Sequence, residues 1–216
     1  MGAIEKVQEM QQLKPELVHP LYTIDADTVQ ARADARVLDD ALGTSCVSAV
    51  NRHVAGEEAT GAEEKAWLSE ITTFFVALAG LLKVLQKEAG KPPEQQTHGQ
   101  HLKDAKSILA DAERALGQIE RALGGWERAR SDIVRALAAA QKGMQKHADQ
   151  AVKTGTAAAK KDHQTVVKAE SSLRVWASKQ GQLIEAARKQ LRTRRNEAQV
   201  MRGIFDGIPD ALGTPV

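Results

Sequence analysis

What this chain of 216 residues lacks already narrows its class. Runs of alternating β-branched residues bounded by turn signals are almost missing, which argues against a sheet protein. Aromatic residues make up 3% of the chain (three Trp, three Phe, one Tyr), so Ala, Leu and Val must pack any core. Proline is confined to Pro15, Pro20, Pro92-Pro93, Pro209 and Pro215, leaving long stretches without a helix breaker. The single cysteine, Cys46, excludes an intrachain disulfide and fits a reducing compartment. The stretch Met1 to Lys6 has no basic segment followed by an apolar one, and Lys6 stands where N-myristoylation favours Ser or Thr. The expected location is the cytoplasm, or the exterior by a route that needs no classical signal peptide.

What is present is helical periodicity. Leu102, Ala105, Leu109, Ala112, Leu116, Ile119, Leu123, Trp126, Arg130, Ile133, Leu137, Ala140, Met144, His147 and Ala151 follow alternating steps of three and four. A helix repeats every 3.6 residues, so this row forms one seam, with only Arg130 and His147 polar. Its phase crosses Gly124-Gly125 without a slip, which predicts a weakened or bent helix there and not a turn. A second row runs through Val166, Ala169, Leu173, Trp176 and Gln180, then resumes at Ile184 with one extra residue, a stutter. It continues through Ala187, Leu191, Arg194, Ala198, Met201 and Phe205. Between the rows, Lys153-Thr154-Gly155-Thr156 combines a residue tolerant of the left-handed conformation with a helix N-cap. The prediction is an antiparallel coiled-coil hairpin over 99–206 that turns near 153–156. A turn centred on Gly155 sets Trp126 opposite Gly181 to Gln182, and Trp176 opposite Arg130 to Ile133.

The N-terminal part, 1–90, reads as shorter helices. Ile4, Val7, Met10 and Leu13 mark the first, and Leu17 to Ile24 an extended connection broken by proline. A helix capped by Asp25 or Asp27 runs to about Leu42, and a helix-compatible segment covers Cys46 to Val54. Gly56 to Gly61 reads as a loop, and a stronger helix over 62–89 is stopped by Gly90. Residues 91–98, with Pro92-Pro93, form a polar linker, and 207–216 a flexible tail. Charge divides at this linker. Residues 1–100 carry nine Lys/Arg against fifteen Asp/Glu, a net −6, and 101–216 carry twenty-one against thirteen, a net +8. The fold class is all-α: an elongated bundle built on the hairpin, with shorter N-terminal helices.

Three features bear on function. Ile71 to Leu82 contains no charge and is apolar round most of a helix, bracketed by Glu70 and Lys83. A bilayer core needs about twenty apolar residues, so this run is too short to span alone. Phe74, Phe75, Val76, Leu78, Leu81 and Leu82 are either buried core or the element that inserts into a membrane or a partner. Arg188, Lys189, Arg192 and Arg195, extended by Arg194 and Arg202, form a basic cluster that could neutralise phosphates, though no aromatic residue interleaves for base stacking. His98, His101 and Asp104 can share a helix face, but no further ligand completes a metal set, and they read as exposed helix-start residues. Cys46 has no base partner. No paired carboxylates, nucleophile elbow or phosphate-binding glycine loop occurs, so neither a catalytic residue, a cofactor nor a small-molecule substrate is expected.

A long helical hairpin shielding one short apolar segment resembles, in layout, the α-helical pore-forming toxins and the translocator proteins of bacterial secretion machines. No motif corresponds residue by residue, so no site is carried over. The sequence therefore predicts a non-enzymatic structural or interaction protein that acts through coiled-coil surfaces and binds a protein partner or itself as a homo-oligomer. The alternative is a membrane-inserting helical bundle using 71–82. The third reading is an electrostatic nucleic-acid binder using 188–202.

Overall fold

A computed structural model of the chain describes residues 2–22 and 27–209. Among them 90% are helical and none lies in a strand, so the chain is an all-α helical bundle. Six helices follow in order: α1 (Ala3–Gln12), α2 (Lys14–Val18), α3 (Thr28–Leu42), α4 (Cys46–Glu88), α5 (His98–Thr154) and α6 (Ala157–Asp206), with one 3₁₀ turn at Pro93–Gln95 before α5. Ile24, Asp25 and 210–216, which fall in the expected connection, cap and tail, lie outside the described residues.

The hairpin turns where the spacing demands it. Only Gly155 and Thr156 separate α5 from α6, and Gly155 has φ +70°, a conformation that strains any residue with a Cβ. Thr156 Oγ1 accepts the amide N–H of Ala159 and so caps α6. Every member of the α5 row is buried except Arg130, Met144 and His147, which are half-buried, and every member of the α6 row is buried, Gln180 and Arg194 included. Arg130 Nε donates to the Ala177 carbonyl at 3.1 Å, beside Trp176, which is the register a turn at Gly155 implies. α5 passes Gly124-Gly125 as unbroken helix.

The chain forms two compact units, and α4, α5 and α6 each contribute to both. The first comprises 1–21, 62–120 and 189–216. There Val7 and Met10 of α1, Leu17 of α2, Trp67, Phe74, Leu78 and Leu81 of α4, Leu102 and Ile119 of α5, and Met201 and Phe205 of α6 are almost wholly buried. The second comprises 22–61 and 121–188. Its core joins Ala35 and Leu38 of α3, Ala49 and Val50 of α4, Ile133 and Ala140 of α5, and Leu173 and Trp176 of α6. α4 is anchored at its start by Asp39, whose carboxylate accepts the amides of Cys46 (2.7 Å) and Val47 (3.0 Å).

Two expectations are corrected. The loop expected over Gly56 to Gly61 does not exist, because α4 runs through it. Gly56 is there for close approach: a Cβ on it would lie 2.8 Å from Trp126 Cα. The intimacy of that packing offsets its poor helix propensity. The connection expected from Leu17 to Ile24 is not wholly extended, since Leu17 and Val18 close α2, which holds Pro15 in its first turn, where its missing N–H has no intrahelical partner to lose.

These glycines yield a paired prediction. Gly56→Ala should gain helix propensity yet lose about 1–3 kcal/mol of stability, because backbone must shift at Trp126. Gly124→Ala meets nothing within 4 Å and should gain about 0.5–1 kcal/mol. Urea unfolding of both variants checks the opposite signs.

Candidate interaction surfaces

The uncharged stretch of α4 has an inner and an outer face. Phe74, Leu78 and Leu81 are fully buried and Phe75 nearly so, with Phe74 edge-on to Phe75 (5.2 Å between centroids) and to Phe205 (5.8 Å). Leu82 is half-buried, and Val76 is 69% exposed. Of the six residues that could form an inserting element, four therefore belong to the core. The outer face is Ser69, Thr72, Thr73, Val76 and Gly80. Thr72 and Thr73 return their hydroxyls to the Leu68 and Ser69 carbonyls of the preceding turn, which masks their polarity.

The basic cluster is divided in the same way. Arg188 pairs with Glu127, Arg195 with Glu120 (2.7 Å) and Arg202 with Glu113. Each step of seven along α6 is met by a step of seven along α5, so these arginines form rungs of the hairpin. Lys189 and Arg192 stand exposed beside them. Arg194, on the seam, is 5% exposed. Its guanidinium donates to the carbonyls of Leu17 and His19, and its central carbon lies 4.6 Å from the centroid of the Trp67 ring. The same segment is tied a second time, because Glu64 accepts the amide of Leu21. Burial pushes the Glu64 carboxyl up from its ordinary range, against the Leu21 hydrogen bond and the Arg194 charge.

The histidines depart from the simple reading in two places. His98 is fully buried, not an exposed helix-start residue, while His101 and Asp104 are exposed. The cause is Glu88. Its carboxylate accepts the amides of Thr97 (2.6 Å) and His98 (3.0 Å), the Thr97 hydroxyl (2.6 Å) and His98 Nδ1 (3.0 Å), and so caps α5 from the end of α4. Burial works to raise the Glu88 pKa, but the hydrogen bonds prevail and hold it at about 2. His53, which the sequence did not single out, is also fully buried. Its ring lies 5.5 Å from Trp126 and 5.2 Å from Trp176. Trp126 Nε1 donates to its Nε2 at 2.8 Å, and the Gln180 side-chain amide approaches the same nitrogen at 3.0 Å. Nδ1 is buried with no hydrogen-bond partner. Burial lowers the His53 pKa below 6.5, the Arg130 charge acts in the same direction, and Gln180 opposes both. Cys46 is buried near Thr44, and burial pushes its thiol up, away from the nucleophilic thiolate.

Among the described residues no group of three or more His, Cys, Asp or Glu side chains converges as a metal set. No family model matches the chain, and neither a curated protein nor a solved structure is similar to it at a significant level. Its surfaces must be read from their own chemistry.

The His53 environment sets an acid limit. A group whose folded pKa is depressed contributes stability that is complete above its unfolded value of 6.5 and is lost as pH falls below it toward the folded value. Wild-type stability should therefore fall between pH 7 and pH 5 more steeply than that of His53→Gln. Denaturant midpoints across that range measure the difference.

Proposed function

We propose that this is a non-catalytic helical interaction protein that self-associates, and that the outer face of α4 is the surface on which two copies meet. The observation that carries this reading is the uncharged outer face of α4 within Ile71 to Leu82, where Thr72, Thr73 and Val76 are exposed and Gly80 is half-buried. Exposed helix faces normally carry charge, whereas interface cores are depleted of it. No uncharged run in α5 or α6 is as long as these twelve residues. The apolar rows of α5 and α6 are buried within one chain, so they leave little for a second chain to complete. Thr72, Val76 and Gly80 recur every four residues and permit close approach of another helix. A second copy running antiparallel about Val76-Ala77 brings its Lys83 toward Glu70 of the first, and the reverse, which favours self over an arbitrary partner.

Light scattering of the full chain tests this. The wild type should form a defined dimer or higher oligomer at micromolar concentrations, and Val76→Arg should be monomeric with unchanged far-UV circular dichroism. A wild type that stays monomeric near millimolar concentration would end the proposal.

One observation favours a second reading, insertion into a membrane. α4 is the one helix among the described residues long and apolar enough to cross a bilayer. An eighteen-residue window within it has a mean hydropathy of 1.7, with a third of its residues buried. The charge-free core of the run is shorter than a span, but the helix that carries it is not. In this mode Phe74, Phe75, Leu78 and Leu81 leave the bundle and face lipid. Co-flotation with vesicles should then occur for the wild type and weaken for Phe75→Asp, and no flotation by either would remove this reading. Nucleic-acid binding has less support, because Arg188 and Arg195 are engaged by acidic residues of the hairpin itself.

A further inference from the structure

Near the tip of the hairpin two histidines face each other. His147 of α5 and His163 of α6 each lie eight residues from Gly155, so the turn alone brings them together. Their Nδ1 atoms are 3.2 Å apart, the ring centroids are 5.4 Å apart and the planes meet at 31°. Nε2 of His147 lies 3.3 Å from the carboxylate of Asp162. Both rings are half-buried and Asp162 is exposed, so the pair is open to small solutes.

The protonation pattern follows from the partners. The two Nδ1 atoms stand within hydrogen-bond distance, so in the neutral pair one of them carries the proton between the rings and the other accepts it. A divalent ion between the rings would take the place of that proton, since each neutral imidazole can carry its proton on Nε2 instead. Two imidazole nitrogens bound at about 2.0–2.1 Å to one tetrahedral ion lie roughly 3.3 Å apart. The observed separation matches that span. The Asp162 carboxylate stands beside Nε2, the far nitrogen of His147, which is the side from which carboxylates orient metal-bound imidazoles.

We propose that His147 and His163 form a two-histidine site for a divalent transition ion of the zinc, nickel or copper class, with Asp162 as a positioning residue. Imidazole nitrogen suits these ions, while magnesium and calcium prefer oxygen. Two protein ligands leave the remaining positions to water, so the ion exchanges readily and binds with micromolar affinity. Bound there, it bridges α5 and α6 next to the turn and staples the end of the hairpin.

Titration calorimetry of the full chain with zinc chloride, and separately with nickel chloride, tests the site. One ion per chain should bind with a micromolar dissociation constant. His147→Ala and His163→Ala should each lose at least about tenfold in affinity, and Asp162→Asn roughly tenfold, with Asp162→Glu recovering most of it. His101→Ala, outside the site, should bind as the wild type does. Wild-type binding no tighter than millimolar would overturn the proposal, as would undiminished binding by either site-histidine variant. A measurement without substitutions stands beside it: zinc should protect His147 and His163 from acylation by diethyl pyrocarbonate, read residue by residue by mass spectrometry. Equal modification with and without zinc would also overturn it.

Discussion

Burial of a three–four row of Leu, Ile and Ala on α5 against a matching row on α6, shifted once by the stutter after Gln180, is the interaction on which the rest of this molecule depends. Each fully buried Leu or Ile contributes about 1.5–3 kcal/mol. The many alanines contribute far less and instead let the helices lie close together. A seam of this kind is thin, and the structure compensates with a few large residues set into it. Trp126, Trp176 and Phe205 fill the wider places, and Trp126 is approached so closely by α4 that only Gly56 fits opposite its backbone.

The polar residues on the seam follow the same economy. Arg130, Gln180 and Arg194 interrupt otherwise apolar rows, and a buried polar group without partners is costly. Arg130 reaches a helix carbonyl, and Gln180 lies against the imidazole of His53. Arg194 gathers the carbonyls of Leu17 and His19 and fixes the segment after α2, where Pro20 leaves the chain without regular backbone pairing. Glu88 performs a comparable task at the start of α5 by collecting donors that the helix terminus leaves over.

Almost all of the hairpin was legible in the sequence, because its rows are local and periodic and its turn needs a residue free to adopt positive φ. That no turn interrupts α5 at Gly124-Gly125 could be read in the same way, and the end of α4 near Gly90 from the glycine itself. What escaped were features whose cause lies far along the chain. Gly56 to Gly61 has the composition of a loop yet is helical, with Gly56 packed against the backbone of Trp126. His98 looks like an exposed helix start and is buried because of Glu88, ten residues earlier across the linker. Arg194 and Arg188 look alike as members of a basic run, yet one is buried beneath the N-terminal segment and the other is a rung facing Glu127. The histidine pair beside the turn was separable only as two unrelated positions until the register of the two helices was known.

The rungs from Glu113, Glu120 and Glu127 to Arg202, Arg195 and Arg188 are evenly pitched, and that evenness has a cost. A ruler marked identically every seven residues cannot tell one mark from the next. Sliding α6 by a whole heptad would still offer most glutamates an arginine and most leucines an apolar neighbour. Alignment must therefore come from the irregular teeth: a turn only two residues long, the Arg130 guanidinium that reaches the Ala177 carbonyl across Gly181, and the imidazole of His53 matched to a single glutamine. The buried rows hold the two helices together, the evenly spaced charges line their edge, and these few singular contacts choose where.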